Sequence, residues 1–236
     1  MNTELPKCWK HAQDALEAGI DRLLFYGPPG VGKTFAGLTY GDVRNGVWKV
    51  NCTEDMTTAD VTGHWMPDGD GTWSWRDGGA TNALRSGGRL ILDEVDKASG
   101  DVLATLLAVT DSDGSIALDH PGLNGAVRAS AGYSVVCTTN VEDIGELPEA
   151  LADRFPVRIR INEPHPDALL LLSHDLRDYA RRAADLGPRR ISLRSFMAFD
   201  KLRKSLGDQG YAAEIVFGEK LAQAVLDAIA IDGVAK

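Results

Sequence analysis

Eight residues, "GPPGVGKT" from Gly27 to Thr34, have the types and spacing needed to hold a phosphate chain. Glycines let successive backbone N–H groups approach an anion, and a lysine followed by a hydroxyl supplies a cation and a metal-facing oxygen. Gly27, Pro28, Pro29, Gly30, Val31 and Gly32 would form the cradle, with Lys33 reaching the β- and γ-phosphates. Thr34 would offer its hydroxyl to Mg2+, and Phe35 carries the segment into a helix. The spacing GxxxxGK[ST] arises by accident in about one such chain in a hundred. A second element, "RLILDEVDKA", ends four mostly apolar residues in Asp93 and Glu94. Asp93 suits Mg2+ coordination, largely through water, and Glu94 suits a general base acting on an attacking water. Asp96 is left as turn or cap chemistry.

Such residues need a strand before the cradle and a helix behind it, and the sequence supplies both. "RLLFY" (Arg22–Tyr26) precedes the glycines, after a short helix over about residues 7–18. "GVWKVNC", "GGRLILDEVD", "GYSVVCTTN" and "FPVRIRI" read as four further strands. Their short, near-continuous apolar runs are those of a parallel sheet covered on both faces. Two turn-rich stretches interrupt the alternation, and both predict hairpins. Gly63–Gly79 pairs Asp68-Gly69 and Asp70-Gly71 with alternating Trp73 and Trp75, and Asp111–Gly132 precedes the fourth strand. After Pro164 and Pro166 the pattern becomes wholly helical, with helices expected over about 167–184, 192–206 and 214–231. The expected domains are therefore an α/β nucleotide-binding core over residues 1–163 and a small α-helical lid over 164–236.

Charge narrows the partners. Residues 1–156 hold 12 Lys/Arg against 23 Asp/Glu, while residues 157–236 hold 13 against 11. An acidic core opposes a phosphate backbone, which favours a basic field. Cys8, Cys52 and Cys137 form no CxxC pair and read as buried or incidental thiols. The N-terminus has no signal-peptide core, and the longest greasy run, Ala168–Leu172, cannot span a bilayer. A cytoplasmic protein without membrane contact is expected.

Taken together, "GPPGVGKT" and "LILDEVD" resemble the AAA+ ATPases, a P-loop NTPase family, from about Leu5 to Ala230. The resemblance implies ATP and Mg2+ as ligands and assigns further roles by position. "VVCTTN" is similar to the segment that carries the polar sensor-1 residue, making Asn140 the candidate to orient the lytic water or contact the γ-phosphate. "LPEALADRFPVRI" resembles the segment ending in an arginine finger, with Arg154 the candidate in trans and Arg158 the runner-up. "RRISLRSFMAFDKLR" looks like the sensor-2 helix, with Arg194 preferred over Arg189 and Arg190. The hairpin insert, "DGGATNALRSGGRLILDEVDKAS" and the late helix resemble the MoxR branch, which is dynein-related and includes CbbQ-, NorQ- and GvpN-like ATPases. That branch implies a homo-oligomeric ring, usually a hexamer, whose hairpins act on a protein client. Many members work with a von Willebrand factor A-domain protein. Trp65, Trp73 and Trp75 are candidate client contacts, or simply cross-strand packing. No further domain is expected beyond Leu5–Lys236, so client choice should rest on the hairpins, the lid or an adaptor. Two rival readings remain. A nucleic-acid-directed AAA+ motor or McrB-like GTPase is disfavoured by the acidic core, although Arg76, Arg85 and Arg128 lie near the hairpins. A nucleotide-controlled scaffold is disfavoured because Lys33, Asp93, Glu94 and Asn140 are all present.

Overall fold

The computed structural model describes residues 5–112, 114–121, 125–187 and 190–234. The chain divides into two compact units. One comprises His11–Gly27 and Lys33–Arg160; the other comprises the described residues before His11, Pro28–Gly32 and those from Ile161 onward.

The first unit is built on a five-stranded sheet. Strands β1 (Arg22–Tyr26), β2 (Val47–Asn51), β5 (Arg89–Asp93), β8 (Ser134–Thr138) and β9 (Val157–Arg160) lie in the order β2-β5-β8-β1-β9. Every pairing is parallel. The strands β1, β5 and β8 bury continuous runs such as Leu23–Phe25, Leu90–Leu92 and Val135–Cys137. Edge strands β2 and β9 alternate in exposure instead, which is why their sequences are more polar. Helices α2 (Lys33–Thr39), α4 (Gly79–Ser86), α5 (Gly100–Thr110) and α6 (Glu149–Asp153) occupy the connections. Leu84, Leu106, Tyr133, Leu151 and Phe155 join the strand side chains in one core.

Two buried arginines tie strand starts to helix ends. Arg22 donates from Nε to Thr110 O at 3.1 Å and from Nη2 to Asp111 O at 2.7 Å, closing the C-terminus of α5. Arg89 donates from Nη1 to Gly37 O at 2.7 Å and Tyr40 O at 2.6 Å, closing that of α2. A helix C-terminus gathers unpaired carbonyls and negative potential, so a buried guanidinium finds acceptors there.

Both expected hairpins are present. The first joins β3 (Gly63–Pro67) to β4 (Trp73–Asp77), with Trp65 opposite Trp75 and Pro67 opposite Trp73; the short helix α3 (Thr58–Thr62) leads into it. The second joins β6 (Leu118–Asp119) to β7 (Ala126–Val127). Asp77 fastens their bases together: its Oδ1 accepts from Trp75 Nε1 at 2.9 Å and meets His120 Nε2 at 2.7 Å, while Oδ2 pairs with Arg85 at 2.6 Å.

Helices α7 (Pro166–Leu170), α8 (Arg177–Ala183), α9 (Leu193–Leu206), α10 (Gln209–Phe217) and α11 (Glu219–Val234) belong to the second unit, and Phe196, Phe199 and Leu176 centre its core. Two expectations are corrected here. The single helix expected over 167–184 is two, separated by a 3-10 turn at His174–Leu176 where the Asp200 carboxylate takes the Ser173 N–H at 3.0 Å. The helix expected over 214–231 breaks at Gly218, whose φ of 78° ends α10. Among the described residues no helix is long and apolar enough to cross a membrane. The structure pairs none of the three cysteines in a disulfide. The first helix, α1 (Lys7–Glu17), buries Trp9, whose indole donates to Glu163 O at 2.8 Å.

One turn sets the approach to β5. Gly87 caps α4 at φ 68°, and a Cβ there would collide with Ala131 O. Left-handed backbone costs a residue with a Cβ about 1–2 kcal/mol before any clash. Gly87→Ala is therefore expected to lower urea-unfolding stability by at least that amount. Gly100→Ala, whose Cβ would meet nothing within 4 Å, should change it by less than about 0.5 kcal/mol.

Candidate active site

The C-terminal tips of β1, β5 and β8 bring the predicted chemistry together, at the sheet edge where open α/β folds place ligands. The chain leaves β1 through Gly27, Gly30 and Gly32, with φ of 119°, 80° and 111°. A side chain at any of the three would strain the loop, so the glycine spacing is a backbone requirement. Pro28, Pro29 and Val31 fill the places between them. Lys33 and Thr34 then open α2, and Phe35 stands half exposed behind them.

Lys33 is buried, and its ammonium donates to Gly27 O at 2.8 Å and to Asn140 Oδ1 at 3.0 Å. Burial lowers its pKa to about 8, against the pull of Asp93, Glu142, Glu94 and Asp96. A buried cation at this sheet edge, beside a glycine loop, suits an anionic ligand. Asn140 donates from Nδ2 to Glu94 Oε1 at 2.9 Å, so one amide links the lysine to the proposed base. Glu94 is the only non-glycine residue at positive φ among the described residues, at 58°. Its amide donates to Thr138 Oγ1 at 3.1 Å, and its Oε2 accepts from Lys97 at 2.5 Å. The Lys97 hydrogen bond, against burial and with help from Asn140, holds the carboxyl below its ordinary range.

Asp93 is the most heavily engaged group. Its Oδ1 accepts from Thr34 Oγ1 at 2.6 Å and Thr138 Oγ1 at 2.5 Å, and its Oδ2 pairs with Lys49 Nζ at 2.7 Å. Burial raises its pKa, but the bonds from Lys49, Thr138 and Thr34 outweigh it and the net shift is downward. A hydroxyl and a carboxylate in mutual contact form a hard oxygen donor set that fits Mg2+. Asp96 is not a free turn residue: Thr139 Oγ1 donates to its Oδ1 at 2.6 Å.

The remaining candidates lie outside this network. Arg154 ends α6 and donates to Leu107 O at 3.0 Å and Ala150 O at 2.7 Å, with Asp111 Oδ2 at 3.4 Å. Arg158 donates to Phe155 O at 2.9 Å and Ala152 O at 2.6 Å. Arg194 is exposed on the first turn of α9, in the helical unit. Arg190 is exposed just before that helix, and Arg189 lies outside the described residues. Sequence reasoning missed Lys49, Lys97, Thr138 and Thr139. The two threonines sit in the quoted "CTTN", where a hydroxyl pair at a strand tip beside an acidic one was the available signal.

The sequence matches the family described as AAA domain (dynein-related subfamily) over residues 22–155. The chain belongs to the dynein-related AAA subfamily. Such domains generally bind nucleotide with Mg2+. Among its relatives is denitrification regulatory protein NirQ of Stutzerimonas stutzeri, 33% identical over 129 residues, which are 54% of this chain and 46% of that protein. Protein CbbQ of Hydrogenophilus thermoluteolus is 34% identical over 119 residues, 50% of this chain and 43% of that one. Both are the kind of relative that the MoxR-branch resemblance implies. The chain thus spans less than half the length of these relatives. An uncharacterised Staphylococcus saprophyticus protein is 27% identical over 81% of this chain and 72% of its own. In fold, NtrX from Brucella abortus superposes with a TM-score of 0.56 at 16% identity, covering 95% of this AAA chain and 50% of that one.

Thr138 is buried and uses one hydroxyl twice, donating to Asp93 and accepting from the Glu94 amide. Thr138→Val keeps the shape and removes both bonds. It is expected to cost about 1–3 kcal/mol in chemical denaturation, the usual cost of stranding buried polar groups. Thr139→Val, which frees only Asp96 and the Val141 amide from their contacts, should also destabilise, but by less.

Proposed function

We propose that this AAA protein binds ATP with Mg2+ at the Lys33–Asp93 site, hydrolyses it, and uses the cycle within a homo-oligomeric ring to remodel or activate a protein client. The observation that carries the ATPase reading is the continuous chain of hydrogen bonds from Lys33 through Asn140 to Glu94, beside the Thr34–Asp93 pair. Lys33 would face the terminal phosphates, and Thr34 and Asp93 would hold the metal, Asp93 largely through water. Bound Mg2+ would supply charge neutralisation on the phosphate oxygens. Glu94, kept ionised below its ordinary pKa range, would take a proton from the attacking water, and Asn140 would orient both.

Two further parts of the proposal rest on other observations. Arg154 sits on backbone carbonyls at the ends of α5 and α6, outside its own subunit's site network, as a finger serving a neighbour would. For the client, the first hairpin leaves Trp65, Met66 and Trp73 exposed while its turn carries Asp68 and Asp70. Apolar strands with an acidic tip favour a polypeptide over a nucleic-acid backbone. NirQ's designation as a regulatory protein supports an activating role.

Glu94→Gln should bind ATP within about threefold of wild type and hydrolyse it at least about 100-fold more slowly, measured by nucleotide binding and phosphate release. Unchanged turnover would remove Glu94 from the base role. Arg154→Ala should bind nucleotide and lose turnover, with partial recovery when mixed with Glu94→Gln subunits that retain Arg154. Failure of every mixture to recover activity, in chains that melt like wild type, would contradict a finger acting in trans.

A further inference from the structure

Lys49 has no part in the motifs, yet it makes the only ion pair of Asp93 among the described residues. It stands on β2 two residues before Asn51, the register partner of Asp93, so its long side chain crosses diagonally to the neighbouring strand tip. The division of labour on Asp93 is sharp. Oδ1 is taken by two neutral hydroxyls, whereas Oδ2 is taken by the ammonium alone. Beside Lys49 lies an open cavity of about 400 Å³, lined among others by Asn51, Thr53, Asp55 and Asp60.

We propose that Lys49 is a resident countercation for Asp93 that competes with the divalent ion and lessens the dependence of nucleotide binding on it. The inference rests on reading this site as one for Mg2+ and a nucleoside triphosphate. Without metal, an unpaired Asp93 would repel the phosphate chain, and Lys49 neutralises it. With metal, the same positive charge would repel Mg2+ and hold one of the Asp93 oxygens. Lys49 therefore acts in opposite directions in the two conditions, which a merely structural contact would not do.

The test uses mant-ATP fluorescence on the full chain, first in EDTA and then along a MgCl2 titration, comparing wild type with Lys49→Met, which keeps the apolar stem. For a partly exposed pair an effect of about threefold to fivefold is expected. In EDTA, Lys49→Met should bind mant-ATP more weakly by that factor, while its half-saturating MgCl2 concentration should fall by a similar one. Lys49→Arg should behave as wild type. In an Asp93→Asn background Lys49→Met should shift neither quantity. Equal weakening in both conditions, or no shift in either while wild type binds, would overturn the proposal and leave the site reading standing. Wild type that binds no mant-ATP at any MgCl2 concentration would overturn the site reading and this inference with it.

Discussion

The sheet unit is organised around one partly buried anion. The Asp93 carboxylate cannot sit at the tip of a covered strand without compensation, because the cost of an unpaired charge there exceeds what any one favourable interaction supplies. Compensation comes from three places in the chain: Thr34 from the helix after the glycine loop, Thr138 from β8, and Lys49 from β2. These contacts tie the start of α2 and the strands β8 and β2 to the tip of β5. It also brings the Lys33 ammonium and the Glu94 carboxylate to opposite ends of a single amide, that of Asn140.

Much of this was legible in the sequence where a residue type answers a local backbone demand. The loop glycines are needed because Gly27, Gly30 and Gly32 occupy positive φ, and the apolar runs at Leu23–Phe25 and Leu90–Leu92 mark strands buried on both faces. What escaped depends on register. Lys49 meets Asp93 only because Asn51 pairs with Asp93 across two strands, and no spacing along the chain reports that. Arg22 and Arg89 likewise each close a helix C-terminus remote in sequence, which no local pattern reports. In the helical unit, Phe217, Leu221 and Val225 maintain one helical period across Gly218, so the break between α10 and α11 is invisible to periodicity.

The inserted hairpins combine both kinds of information. Their aromatic residues serve the hairpin itself, since Trp65 and Trp75 meet edge to face at 5.8 Å, and Trp75 meets His120 at 5.6 Å. Trp73 nonetheless stays largely exposed, at 63%, beyond what the pairing requires. Along one strand, Trp75 packs against both Trp65 and His120, whereas Trp73 beside the turn stays in solvent.

The proposed reading puts a phosphate chain against the buried Lys33 ammonium, and the metal and base assignments depend on that contact. Isothermal titration calorimetry of ATP with Mg2+ into wild type and Lys33→Ala addresses it most directly. Wild type should bind one nucleotide per chain. Lys33→Ala should bind at least about tenfold more weakly in a chain of unchanged melting behaviour, since a buried charge-assisted contact contributes about 1.5–3 kcal/mol. Equal affinity in the two proteins would contradict the phosphate role of Lys33.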